Sequence, residues 1–407
     1  MPDAMTTTMT MPPPSRVGTD PGRLARTAVL AAAGLTIMAP ALIAPGLPAM
    51  ADHFGDAGLV RLALTITSLA IAVGAPVAGA LVDRLGRRPV LLGGLGVYAA
   101  AGTAGLVVTD LGTLLASRAA LGLGVAGITT AVSALVTDWF SGSRRATYLG
   151  YQQAAASLGG VVLLPLAGVL ADNGWRAPFW LYAAAVPVGV MVLAAVPQRE
   201  QVRAAAPRPT ARARTAGRPR RRGTGRILGL YLLALAATAV FYMAPTQLPF
   251  LLGGLGIGPG LVGIAIAGSI VTALAGSLAF PVVRRRLSPT AISLTALALL
   301  GVGWTLIGRA AGLGTVVTGL LVGGIGVGLT VPNLNLRLGE LAPDGRRGQV
   351  LAGLVTGIFL GQFLSPLAAG PLVAGLGPGG AFAAAGLLTT AGAVVAAPVL
   401  LRSHRGH

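Results

Sequence analysis

From residue 28 to residue 401 the chain is a succession of apolar runs, most of them about twenty residues long, each ended by a short cluster of Arg, Gly or Pro. Such a run, wound as a helix, spans roughly 30 Å of hydrocarbon. A water-soluble fold has too little interior to hide so many in series. Of 407 residues 54% are hydrophobic and only 10% charged, where a soluble domain carries roughly a quarter charged. Lipid offers backbone groups no partner, so the runs must satisfy their own hydrogen bonds as helices. The spacing predicts twelve spans, at 28–50, 59–82, 90–108, 111–136, 146–170, 177–196, 227–252, 261–283, 291–307, 313–334, 350–373 and 380–401. This is an all-α integral membrane protein of two six-helix halves, 28–196 and 227–401. The remainder is an N-terminal tail (1–27), a linker (197–226) and a C-terminal tail (402–407).

The first run carries Ala49, Met50 and Ala51 behind Arg23 and Arg26, a small-x-small pattern like a cleavage site. It exceeds the roughly 7 to 15 apolar residues of a signal peptide and is kept as span one.

Arginine sets the orientation, since the chain has no lysine and all 30 basic residues are Arg. With a cytoplasmic N-terminus, 26 of them fall in cytoplasmic segments and three, Arg61, Arg176 and Arg309, outside; Arg118 lies within span four. That bias places both termini in the cytoplasm of a plasma-membrane protein. The net charge of +19 follows from topology. Ten arginines crowd the linker among Pro, Ala and Thr, too repulsive to fold, and anionic lipid head groups are their natural partner. Nucleic acid is not expected, because no aromatics interleave the charges. There is no cysteine, and two of three histidines lie in the last four residues. No metal or cofactor is expected.

At an offset near 200 the halves repeat. Pro45-Gly46-Leu47-Pro48 faces Pro245-Thr246-Gln247-Leu248-Pro249, and Gly122 and Gly124 match Gly324 and Gly326. Arg144-Arg145 matches Arg346-Arg347, and Gly160 with Pro165 matches Gly361 with Pro366. Six spans are an even number, so both copies enter the membrane from one side, a parallel repeat. Such repeats hold a mid-membrane site between bundles that rock against each other.

Between spans two and three lies Gly79-x-x-x-Asp83-Arg84-x-Gly86-Arg87-Arg88. Gly79 would let helices approach, Gly86 would permit a tight turn, and Asp83 is placed to meet a positive helix N-terminus. The run resembles, without a mismatch, the loop signature of the major facilitator superfamily. Arg118, Gly122 and Gly124 are similar to that family's R-x-x-x-G-x-G motif. Gly160, Pro165 and Gly168 resemble its antiporter motif in part, with Leu164 and Val169 standing where two glycines would be. The resemblance covers 28–401 and implies a twelve-helix transporter of the drug and sugar efflux branch, working with protons as a monomer. It further implies that Asp83 meets the start of helix eleven, near 348–350, and that a residue among Arg84 to Arg88 pairs with Asp138. Together these would latch the cytoplasmic side. In the second copy the matching run ends Arg284-Arg285-Arg286 without an acid, so the latch is asymmetric.

Arg118 lies roughly 10 Å below the outer start of its helix, where a buried arginine costs about 2.5 to 3.5 kcal/mol. Either its stem lets it snorkel outward, or, as the family motif implies, it serves a proton relay. All eleven acids lie in tails, loops or helix ends, and none at mid-depth. Coupling would then use Asp52, His53, Asp83 or Asp138, or water at Arg118. Neutral residues remain as cavity candidates: Gln152, Gln153, Tyr242, Gln247, Asn333, Asn335 and Gln362. Each could equally satisfy an interhelical hydrogen bond. Amides and aliphatics without a carboxylate suit a neutral or weakly amphipathic organic compound. An exporter is the leading expectation, a nutrient importer or facilitator shares the fold, and a receptor or scaffold would not need the latch. An enzyme would need a nucleophile, metal cluster or acid pair in the bundle. An ATP-driven pump would need a lysine-bearing phosphate loop.

Overall fold

The structure, a computed structural model, describes residues 21–197, 221–343 and 346–402. Most of the two tails and of the basic linker, with the expected lipid contact, lies outside the described residues. Among these residues every regular element is helical.

The first expected span is broken. Helix α1 (Arg23–Gly34) gives way to turns at 35–40, a 3-10 turn at Ala41–Gly46, and α2 (Leu47–Phe54). Pro40 and Pro45 bring no N–H donor, so continuous helical bonding fails here. The freed carbonyls are met from elsewhere: the Tyr98 hydroxyl donates to Leu35 O at 3.0 Å and the Tyr182 hydroxyl to Ala39 O at 2.7 Å.

The next helices follow the expected spans with their ends set by local chemistry. Asp56 caps α3 (Ala57–Leu85), accepting from Leu59 N at 2.9 Å. Gly86, at φ 95°, turns the chain directly into α4 (Arg87–Thr103), a backbone state only glycine tolerates cheaply. Asp110 caps α5 (Leu111–Trp139), and α6 is Gly142–Ala171. A 3-10 stretch, Ala177–Ala184, leads into α7 (Ala185–Ala195).

In the second half α8 (Arg221–Phe241) begins at Arg221 rather than at 227, followed by α9 (Met243–Gly254), α10 (Pro259–Arg286), α11 (Pro289–Gly308) and α12 (Leu313–Leu341). The last helix, α13 (Arg347–Arg402), holds both remaining expected spans, divided at Gly377, whose φ of 71° and ψ of 174° are not helical. Ten of the helical segments are long and apolar enough to cross a membrane, with α13 counted once and the broken first segment not among them.

The repeat seen in sequence is realised in packing. A side chain at Gly122 would strike Thr67 O of α3, and one at Gly324 would meet Ser269 O of α10 at 2.5 Å. Gly124 lies against Gly94 and Tyr98 of α4, and Gly326 against Ala296 and Leu300 of α11. Equivalent glycines thus let equivalent helix pairs approach backbone to backbone. Gly79 does not act this way: none of the described residues lies within 4 Å of where its Cβ would be. The close approach in α3 is made instead at Gly74, against Leu123 and Ala126 of α5.

The helices alternate between two faces. One, the arginine-rich face, carries Arg84 to Arg88, Arg144, Arg145 and Arg284 to Arg286; the other carries Arg61, Arg176 and Arg309.

Candidate functional site

The two halves meet along seams, and the side-chain and glycine contacts named below lie from mid-helix to the arginine-poor face. In one seam α6 and α10 touch through glycines: a Cβ at Gly168 would stand 2.6 Å from Pro259 O, and one at Gly263 2.5 Å from Leu164 O. At the end of this seam Gly260 N donates to Asp172 Oδ1 at 3.2 Å. Helix α10 has no side-chain cap of its own at Gly258. A carboxylate of one half therefore caps a helix of the other, where the helix dipole favours negative charge. In the second seam α3 meets α13, with Ser68 Oγ donating to Gln362 Oε1 at 2.7 Å. Arg61 lies over the Phe250 ring of α9 at 4.0 Å.

At the arginine-rich face the pattern differs. Asp83 is exposed, with no hydrogen-bond or ion-pair partner among the described residues. The expected contact with the start of the eleventh span, which begins α13, is not made among the described residues, and none of them lies within 4 Å of a Cβ at Gly348. The other residues of that run are held inside the first half. Arg87 Nε donates to Asp138 Oδ2 at 2.8 Å, and Arg88 Nη2 donates to Leu193 O of α7 at 2.7 Å. Arg84 is exposed. The loop is rigidly tied to its own bundle while its acid is left open to a partner.

Arg118 is 1% exposed and does not snorkel. Its Nη2 donates to Ala101 O at 2.7 Å and Gly102 O at 2.9 Å, carbonyls in the last turn of α4. Its guanidinium carbon stands 4.9 Å from the Phe179 ring and 5.0 Å from the Tyr182 ring. A cation at a helix C-terminus between two ring faces offsets much of the desolvation of the charge. Tyr182 passes the arrangement on to Ala39, so Arg118 also braces the break in the first span. Every group it touches belongs to the first half. Its Nη1 has no hydrogen-bond partner among the described residues.

The neutral candidates divide. Asn333 is fully buried and ties α12 to α11, its Nδ2 donating to Pro289 O and Ser293 Oγ at 2.9 and 2.8 Å. Gln152 donates to Ser133 Oγ at 3.0 Å across α6 and α5, whereas Gln153 is exposed. Asn335 is bonded within its own helix to Val331 O. Tyr242 is buried, and Gln362 reaches the seam. Gln247 has no exposed surface, and among the described residues neither its Oε1 nor its Nε2 has a hydrogen-bond partner. Of the antiporter-like residues, Gly160 packs on Met38 at the helix break, Pro165 lies within α6, and Gly168 forms the seam. Ser68, Asp172, Gly260 and Gly263 escaped sequence reasoning. Only an acid closing a glycine-spaced helix hinted at Asp172.

The sequence matches the description Major Facilitator Superfamily over residues 29–308 and 230–407. It is 30% identical over 370 residues to a chloramphenicol resistance protein of Streptomyces lividans, covering 85% of this chain and 89% of that one. It is 31% identical over 232 residues to the cephamycin export protein CmcT of Amycolatopsis lactamdurans, covering 56% of this chain and 42% of that protein. Against other curated relatives the match spans 22% and 28% of their length. Among solved structures, a D-xylose-proton symporter superposes with a TM-score of 0.76 at 15% identity, covering 91% of this chain and 96% of that one, a likeness of fold alone. Paired glycine seams, a repeated bundle and these matches agree: the chain belongs to the major facilitator superfamily, whose members are multi-pass membrane transporters and not enzymes.

Proposed function

We propose that this protein exports a small neutral or amphipathic organic compound by alternating access, driven by proton influx. It would cross the plasma membrane twelve times as a monomer, with both termini cytoplasmic. The carrying observation is that the contacts between halves named above gather from mid-helix to the arginine-poor face. With Asp83 unpartnered among the described residues at the other face, they support a carrier open to the arginine-rich side, which we take as cytoplasmic. The opposite arrangement would part Asp172 from α10 and bring Asp83 to the start of α13, near 348–350, the latch expected from its signature. Gly79, Arg84, Gly86, Arg87, Arg88 and Asp138 would serve that latch. Gln152, Gln153, Tyr242, Gln247 and Gln362 are the groups for substrate, and Arg118 fixes a cation for coupling. The printed names of the antibiotic-resistance and export relatives support efflux over import.

The test is accumulation of radiolabelled chloramphenicol in everted vesicles with an acid lumen. Uptake collapsed by a protonophore is expected. Uptake indifferent to the gradient would leave a facilitator, uptake only in right-side-out vesicles would leave an importer, and no flux of any tested compound would favour a receptor.

A further inference from the structure

Beside Arg61, at the arginine-poor end of the α3 and α13 seam, lies an open cavity of about 400 Å³. Its walls come from both halves: Asp56, Leu59, Arg61 and Leu62 from one, Pro366 and Leu367 from the other. Leu59 and Leu367 are 39% and 53% exposed, so the groove opens sideways, where a membrane protein faces lipid. The guanidinium is poorly satisfied. Among the described residues its Nε is buried without a partner, its one hydrogen bond is Nη1 to Ala57 O at 3.4 Å, and no carboxylate lies within ion-pair distance. Its face is covered by the Phe250 ring at 4.0 Å, and the N–H groups left at its edge, beside the cavity and with one weak acceptor, call for an anion with several oxygens. Asp56 lines the same cavity unpaired with Arg61, and only its Oδ1 is engaged, by Leu59 N. A cation and an anion on one wall, kept apart and floored with aliphatic side chains, match a ligand carrying both charges above an apolar tail.

We propose that this cavity seats the head group of a zwitterionic phospholipid with a primary amine, its phosphate on Arg61, its ammonium on Asp56 and its acyl chains along Leu59 and Leu367. The height agrees, since Arg61 lies little more than a turn inside the end of α3, the level of head groups in a spanning helix. Because the walls come from both halves, the seat exists only while this seam is shut. A bound lipid therefore favours the arrangement seen here. The inference rests on the spanning orientation proposed above but on neither the substrate nor the direction of transport.

The test is native mass spectrometry of the full chain released from nanodiscs holding equal phosphatidylethanolamine, phosphatidylcholine and phosphatidylglycerol. Wild-type protein should retain phosphatidylethanolamine in preference to phosphatidylcholine, whose quaternary ammonium has no N–H to give Asp56. Arg61→Gln should cut that retention about tenfold. Asp56→Asn keeps the helix cap, since Asn caps as well as Asp, and should abolish the choice between the two amines. Arg61→Lys, folded and charged, should keep part of the retention and so separates loss of the seat from loss of the fold. Equal retention in wild type and Arg61→Gln would overturn the proposal, as would preference for phosphatidylglycerol that Asp56→Asn leaves unchanged. Complete displacement of the lipid by free phosphoethanolamine would reassign the cavity to a soluble amino-phosphate and also overturn it.

Discussion

Adding one methyl group at Gly263 should open the arginine-poor side of the molecule. The new Cβ would stand 2.5 Å from Leu164 O, 3.2 Å from Gly168 Cα and 3.3 Å from Gly168 N. These neighbours are backbone of α6, which cannot rotate out of the way. To restore ordinary contact the helices must separate by roughly 1 Å, and overpacking of this kind costs about 1–3 kcal/mol. The cost falls only on the arrangement in which α6 and α10 touch. Parting the seam removes it, so the equilibrium between the two arrangements should move by about 5- to 150-fold toward the open one. The chain has no cysteine, so spin labels at Asn173→Cys and Ile257→Cys, in the loops flanking this seam, report it without background. Gly263→Ala should shift their distance distribution to longer values in reconstituted protein. Gly150→Ala, on the same α6 but with nothing within 4 Å, should leave it unchanged. An unaltered distribution in a well-folded Gly263→Ala protein would refute the reasoning that these glycines hold the seam.

Asp172→Asn should act in the same direction but more weakly, by about 0.3–1 kcal/mol, since it weakens only a charge at a helix N-terminus; a shift larger than that of Gly263→Ala would point to another partner for Asp172. Gln247→Leu should do the reverse: neither polar atom of that buried amide is bonded among the described residues, so replacing it relieves about 1–3 kcal/mol in the shut arrangement. A longer label distance in that variant would contradict this. Arg118→Met should strip Ala101 and Gly102 of their donor and lower thermal stability in detergent. Arg118→Lys should restore little of it, having no planar fork for two carbonyls; unchanged melting in both variants would leave Arg118 without a bracing role. Asp83→Asn, unpartnered here, should cost this arrangement nothing, raise cysteine labelling at the arginine-rich mouth and slow transport, whereas normal transport and labelling would return that loop to a topology signal.

The hydrophobic period of the chain settles much before any fold is known. Twenty-residue apolar runs can be satisfied only as helices in lipid, and arginine placement gives an expected orientation, because both are one-dimensional properties of the chain. The offset between Gly122 and Gly324 likewise announces a repeat, since close helix packing demands glycine at the same register in each copy. Gly86 declares its turn because no other residue takes a φ of 95° cheaply.

What the sequence could not show depends on which surfaces meet. Arg118 looked like a lipid-facing liability or a relay, and only packing set it against the carbonyls of α4 and two rings. Asn333 looked like a cavity amide until α11 supplied its two acceptors. Gly79, singled out by its motif, has room for a side chain among the described residues, while Gly168 and Gly263 carry a seam between halves. The difference is physical. Helix formation is decided by each residue's own backbone and solvent, but the fate of a buried polar group depends on a partner about 3 Å away, often a hundred residues distant in the chain. Asp172 and Gly260 become partners only when two bundles close on one side, and that choice of side belongs to the tertiary structure alone.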